Sequence, residues 1–243
     1  MAVIEPGAAE REWLAATEAG AARREWLAAT EPSAGGREWL AALPGFQSHH
    51  RSVLTWPALI EGAGTELADA VLHSGARVLA FGVPFPDTLV GDVAHETVTV
   101  WTVDPDGRTP AASATPTPEQ WSQMVELWRA TGITVLAGSA RDHPSWTHAL
   151  CFNPLDPPGH VVATASTQQL PHPITELGAR ILMCAVATSP DHRKKGAAAQ
   201  CVRALTAGRR AAALVEAGSQ SARFFQHLGW RPDSVAHLYR YGA

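Results

Sequence analysis

Cysteine is scarce in this chain. Cys151, Cys184 and Cys201 are the only three among 243 residues. They are too few and too scattered for a disulfide framework. Cys184 and Cys201 lie on apolar stretches and read as core residues rather than ligands. Long apolar runs are missing as well, and no stretch reaches the roughly 18 apolar residues of a membrane span. Basic charge is not in excess. A net charge of −4 leaves no footprint for nucleic acid. The N-terminus is acidic and Ala-rich, without the basic-then-apolar order of a signal peptide, so a cytoplasmic protein is expected. What is present, 46% hydrophobic and 17% charged residues, describes a globular chain with a sizeable core, in one large domain or two small ones.

The first 46 residues form an extension with an internal repeat. Arg11-Glu-Trp-Leu-Ala-Ala-Thr-Glu18 recurs as Arg24-Glu-Trp-Leu-Ala-Ala-Thr-Glu31, and a third copy runs from Arg37 to Ala42. In a single helix the repeat period would rotate each copy by about 220°, so Trp13, Trp26 and Trp39 would share no stripe. Short Ala-rich helices are expected rather than a coiled coil. Two readings stay open: a duplicated, tolerated tail, or a docking segment whose Trp-Leu anchors meet the chain's own core, a protein partner or a second copy.

Residues 47–243 are expected to form one domain, with 47–115 as its elaborated N-terminal portion and 116–243 as its core. Trp56 to Leu72 reads as a helix, Arg77 to Val83 as a strand, and Glu96 to Val103 as the clearest strand, rich in β-branched residues. Pro118 to Thr131 reads as a helix with Thr117 as N-cap and Gly132 past its end. Ile133 to Ala137, His148 to Phe152 and Val161 to Ala165 read as strands. His49-His50 and His172 lack further ligands at metal-binding spacing, so no metal is expected.

The informative stretch runs from Ile181 to Trp230. Ile181 to Thr188 is an apolar strand, Ser189-Pro-Asp-His192 a turn, and Arg193 to Leu205 the start of a helix. Ala211 to Val215 is a strand, and Ser221 to Trp230 carries a second helix. Gly196, Ala197 and Ala198 leave the backbone N–H groups of a helix start open to an anion, and Arg193, Lys194 and Lys195 add positive charge. Such a start suits a phosphate or pyrophosphate.

Thr188-Ser-Pro-Asp-His-Arg-Lys-Lys-Gly-Ala-Ala198 resembles the acyl-CoA-binding segment of the Gcn5-related N-acetyltransferases (GNAT), Arg/Gln-x-x-Gly-x-Gly/Ala after a strand. Arg193, Gly196 and Ala198 stand at its fixed positions. Phe224-Phe-Gln-His-Leu-Gly-Trp230 is similar to that family's second landmark. The resemblance covers about the last 65 residues well. It implies an α/β fold, a GNAT-like mixed sheet flanked by helices, with acetyl-CoA or another acyl-CoA as cosubstrate. It also implies that Val186, Ala187 and Thr188 line a gap for the pantetheine arm, and that the N–H groups from Arg193 to Ala198 hold the pyrophosphate.

The departures concern catalysis. Phe225 stands where the family often has the Tyr that protonates the departing thiolate, and no Asn follows the strand after the first helix. Either the thiolate leaves unaided or through water, or Ser219, Ser221 or Tyr239 supplies the proton, or acetyl transfer is lost. A base must take the amine proton. Glu216 is favoured over Glu176, Glu96 and His148. Glu216 and Ser219 are therefore the expected catalytic residues, and Phe225 a CoA neighbour. No cysteine has a nucleophile's surroundings. After Trp230 one strand remains where the family has room for two. The missing one is expected from the N-terminal region or another subunit. The expected function is acyl-CoA-dependent N-acyl transfer to a small-molecule amine in a ternary complex. The rivals are a catalytically degenerate CoA-binding module and another acyl-CoA reaction on the same scaffold.

Overall fold

The computed structural model describes residues 46–49, 52–55, 77–82, 84–85, 94–109, 115–133, 136, 138–153, 155, 159–175 and 177–240. The Trp-Leu repeats, the expected helix from Trp56 to Leu72, and Glu176 lie outside the described residues. In chain order the elements are β1 (Phe46–His49), β2 (Ser52–Thr55), β3 (Arg77–Phe81), β4 (Ala94–Val103), α1 (Pro118–Ala130), a 3-10 turn (Gly138–Ala140), β5 (Trp146–Phe152), β6 (Val161–Gln169), β7 (Ile181–Thr188), a second 3-10 turn (Pro190–His192), α2 (Ala197–Thr206), β8 (Ala211–Val215), α3 (Gln220–His227) and β9 (Arg231–Arg240). Contacts group the chain into two compact units, residues 1–99 with 234–243, and residues 100–233.

In the first unit the strand order is β1-β2-β3-β9-β4. β1 and β2 pair antiparallel, β2 and β3 run parallel, and β3 meets β9 antiparallel with Val78 opposite Tyr239. Strand β3 ends at Phe81, two residues short of the expected Val83, because Gly82 turns the chain at φ 84°. The buried Tyr239 hydroxyl accepts from the Phe85 N–H at 2.9 Å.

In the second unit the order is β9-β4-β8-β7-β6-β5. The strand that the sequence leaves missing after Trp230 is therefore β4, from the N-terminal side of α1, seated between β9 and β8. Trp101 of β4 shares a core with Ala211, Ala213 and Val215 of β8. Asp104 just beyond it accepts from Arg210 at 3.1 Å and Arg231 at 2.7 Å. Strand β9 begins at Arg231, earlier than the expected Val235, and contains Pro232 near its start, where a missing N–H is tolerated.

Helices cover both faces of this unit. Met124, Leu127 and Trp128 of α1 pack with Val161 and Ala187 on one face. Cys201, Val202 and Leu205 of α2, with Ala222 and Phe225 of α3, pack on Ala163, Ala165, Ile181 and Met183 on the other. Helix α1 begins with a reciprocal cap, since the Gln120 N–H donates to Thr117 Oγ1 at 3.2 Å and the Thr117 N–H donates to Gln120 Oε1 at 2.9 Å. At its far end Ile133, the first residue of the expected strand from Ile133 to Ala137, is not extended. Gly132 sits at φ 71°, and the Ile133 N–H donates to the Trp128 carbonyl at 2.8 Å. Ile133 thus completes a Schellman cap, which curls the chain back on the helix instead of extending it. Residues 134, 135 and 137 lie outside the described residues.

Candidate functional site

The site is built where β7 and β8 stop pairing. They run parallel through Ile181↔Ala211, Leu182↔Ala212 and Met183↔Ala213, and the register ends there. Both strands continue, β7 to Thr188 and β8 to Val215. On its other edge β7 stays paired with β6, but the register slips: Ser166 faces Cys184 while Thr164 faces Ala187. Three steps on β7 match two on β6, which is a bulge. Ala185 sits in it at φ 47°, left-handed for a non-glycine residue.

The bulge decides which backbone groups face the gap. The Ser189 N–H donates to the Val162 carbonyl at 2.9 Å, so the Thr188 carbonyl, on the opposite side of that peptide plane, points away from β6. Alternation along the strand turns the peptide groups of Ala187 toward Thr164 and those of Val186 toward the gap. Of the three expected edge residues, Val186 and Thr188 present backbone to the opening, whereas Ala187 is engaged with β6.

The turn beyond β7 is shaped for an anion. The His192 and Arg193 N–H groups close the 3-10 turn on Ser189 and Pro190 at 2.9 and 3.3 Å. The Arg193 N–H, expected among the pyrophosphate donors, is therefore already engaged, and its guanidinium is what it can offer. Lys194 at φ 63° and Gly196 at φ 85° then turn the chain into α2. Alternating hands of this kind point successive N–H groups to one side. Gly196 is the N-cap and no side chain caps the helix. The Ala197, Ala198 and Ala199 N–H groups have no partner inside the helix. A Cβ added at Gly196 would meet nothing within 4 Å, although its φ disfavours one. Arg193, Lys194 and Lys195 are exposed, and none pairs with a carboxylate among the described residues.

The expected catalytic residues occupy different settings. Glu216 is exposed, one residue past the end of β8. Ser219 is half-buried and caps α3, its Oγ accepting from the Ala222 N–H at 3.1 Å. One lone pair is thus committed, while the hydroxyl proton stays available for donation. Phe225 is buried against Trp230, with ring centroids 4.7 Å apart, as part of the α2/α3 core. His148 is buried, with Nδ1 2.9 Å from Ser166 Oγ and Nε2 3.0 Å from the Ala140 carbonyl. Burial lowers its pKa, with the Ala140 bond opposing. Both ring nitrogens are occupied, so His148 is a structural group and leaves the base candidates. Tyr239 is buried in the first unit with its hydroxyl engaged. Burial pushes the Cys201 thiol up to about 12 and the Cys184 thiol up as well, which keeps both protonated. No group of three potential metal ligands occurs among the described residues, and none of their helices is long and apolar enough to cross a membrane.

The model of the Acetyltransferase (GNAT) family matches residues 116–230. That match covers a little under half of the chain. A solved GNAT-family protein from Novosphingobium aromaticivorans shares its fold at a TM-score of 0.56 and 16% identity, over 90% of this chain and 96% of that one. A Gcn5-related N-acetyltransferase from Kribbella flavida aligns at 0.47 and 18% identity, over 83% and 80% of the two chains. No curated protein matches the sequence. The matched segment runs from the α1 cap to the core Trp230 and includes the gap, the bulge and the basic turn.

Residues the sequence did not single out complete the site. Trp128 of α1 and Thr164 of β6 both bond the bulged Ala185, and no local motif marks either. The spacing of Trp121, Met124 and Trp128 shows which face of α1 is buried. It does not show where the indole N–H goes.

Proposed function

We propose that the chain is an acyl-CoA-dependent N-acyltransferase, most simply moving acetyl from acetyl-CoA to the amine of a small molecule. The observation that carries this reading is the gap opened when β7 leaves β8 after Met183, ending at a helix start with no side-chain cap, flanked by three exposed cations. A pantetheine arm is an extended diamide and pairs with an open strand edge such as Val186 and Thr188. Its pyrophosphate suits the Lys194–Ala199 N–H groups. The reaction is direct attack. The neutral amine adds to the thioester carbonyl, a base takes its proton, and the C–S bond breaks to release CoA. Glu216, exposed at the end of β8, is the proposed base. Ser219 is the proposed proton donor to the thiolate, in place of the phenol that Phe225 lacks.

Calorimetric titration of CoA and acetyl-CoA into the full chain tests the reading. Micromolar binding is expected. Gly196→Glu, which sets a carboxylate where the pyrophosphate lies, should abolish it. Lys195→Glu, which leaves the Gly196 backbone alone, should weaken it roughly tenfold, about 1.4 kcal/mol. Absence of CoA binding by the unaltered chain would sink the proposal. The buried Phe225 favours a second reading, a module that binds CoA without transfer. Glu216→Gln separates the two: in an enzyme it slows turnover by orders of magnitude and spares CoA affinity.

A further inference from the structure

The left-handed Ala185 is held by a device outside the gap. Its carbonyl oxygen accepts from Trp128 Nε1 at 3.2 Å and from Thr164 Oγ1 at 3.3 Å. The indole N–H also reaches Thr164 Oγ1 at 2.9 Å, so the three groups form a closed triangle. Trp128 and Thr164 are both 0% exposed. An L-residue at positive φ persists where its surroundings over-determine it, and here two buried donors converge on one oxygen.

We propose that Trp128 and Thr164 are a positioning pair: they lock the Ala185 carbonyl on the α1 side and thereby aim the Val186 N–H at the thioester carbonyl in the gap. The geometry follows from one peptide plane. The Ala185 C=O and Val186 N–H belong to a trans amide, since no described peptide bond is cis, and they point in opposite directions. A carbonyl fixed toward Trp128 and Thr164 leaves the N–H facing away from β6. Strand alternation from the Ser189 bond gives the same direction independently. Negative charge grows on the thioester oxygen as the amine adds, and a donor already fixed in place stabilises it without reorganising. The pair touches neither CoA nor the amine, and its effect passes wholly through the peptide it holds. The inference rests on the proposed acyl-CoA reading.

The test does not need the acceptor. Acetyl-CoA labelled with 13C at the carbonyl is bound to the full chain, and its carbonyl stretch is recorded by isotope-edited infrared spectroscopy. In the unaltered protein the stretch should fall below its value in water, as for a polarised carbonyl. Thr164→Val keeps the shape and removes the hydroxyl. Trp128→Phe keeps a ring and removes the N–H. In both variants the stretch should return toward the free value while CoA affinity stays within about threefold. Thr164→Ser, which restores a hydroxyl, should keep the lowered stretch. Once an acceptor is in hand, Thr164→Val should lower kcat about tenfold with little change in KM for acetyl-CoA. A stretch equally lowered in all four proteins would overturn the positioning role and leave the CoA reading intact. No CoA binding by the unaltered chain would remove the reading itself. Should Trp128→Phe fail to fold, the Val and Ser variants at Thr164 still decide the matter.

Discussion

Ile181–Met183 and Cys184–Thr188 are consecutive stretches of β7 in different physical settings. The first is paired on both edges, with β6 and with β8, and its side chains are buried. The second keeps β6 but has left the β8 register, and most of its residues are only half-buried. In the first, alternation is regular and Met183 faces the α2 side. In the second, the bulge inserts one residue, so Ala185 and Ala187 face α1 while Val186 faces α2. A single added residue thus exchanges the faces and exposes an edge. The anchored half supplies stability. The open half leaves the strand edge toward β8 unregistered beyond Met183, at the expense of a strained residue.

The largest effect is expected from breaking the anchored half. Leu182 is 1% exposed and lies between Gln168 and Ala212. Leu182→Ala should lower the unfolding free energy by about 2–5 kcal/mol, read from the shift of the denaturant midpoint at constant slope. A loss under about 0.5 kcal/mol would mean that the paired stretch is no anchor.

Next comes the hinge between the halves. Ala185→Val places a β-branched side chain at φ 47° and should destabilise by about 1–3 kcal/mol. Ala185→Gly, which has no penalty at this φ, should be neutral or stabilising by up to about 1 kcal/mol. Ala185→Val must therefore cost clearly more than Ala185→Gly. If both destabilise equally, packing rather than backbone strain governs the site.

This contrast also explains what could be read in advance. The helix caps were legible because their chemistry is local: Thr117 and Gln120 lie three residues apart, and Gly132 closes the other end. The basic turn and helix start were legible for the same reason, since Arg193 to Ala198 carry both the charge and the freedom of backbone. The open edge at Val186 to Thr188 came from family resemblance. The bulge was not legible, because Ala185 is an ordinary residue placed at positive φ by partners 57 and 21 positions away. The same holds for β4 between β9 and β8. Its β-branched run announced a strand, but its neighbours are set by tertiary pairing. Ile133 misled because a β-branched residue just past a helix also serves as the apolar partner of a Schellman cap.

The smallest expected effect sharpens the boundary itself. Ser166 faces Cys184, the last regular position before the bulge, and its hydroxyl is bonded to buried His148. With Nε2–H donated to the Ala140 carbonyl, Nδ1 accepts from Ser166, and the neutral ring satisfies both. Protonation would replace that acceptor by a second donor and place a charge among Trp121 and Trp146. Burial lowers the folded-state pKa of His148 below its ordinary 6.5. The unfolded chain therefore takes up the proton first, and the associated stability is complete above about pH 6.5 and lost as pH falls toward the folded-state value. His237, in the other unit, is shifted in the same direction by burial and by His95, so the wild-type slope alone does not identify the group. His148→Gln should flatten the fall in unfolding free energy between about pH 7 and pH 5.5, and His237→Gln should leave the His148 part in place. A slope unchanged by His148→Gln would assign the whole pH dependence away from the bulge and detach this buried bond from the architecture of the gap.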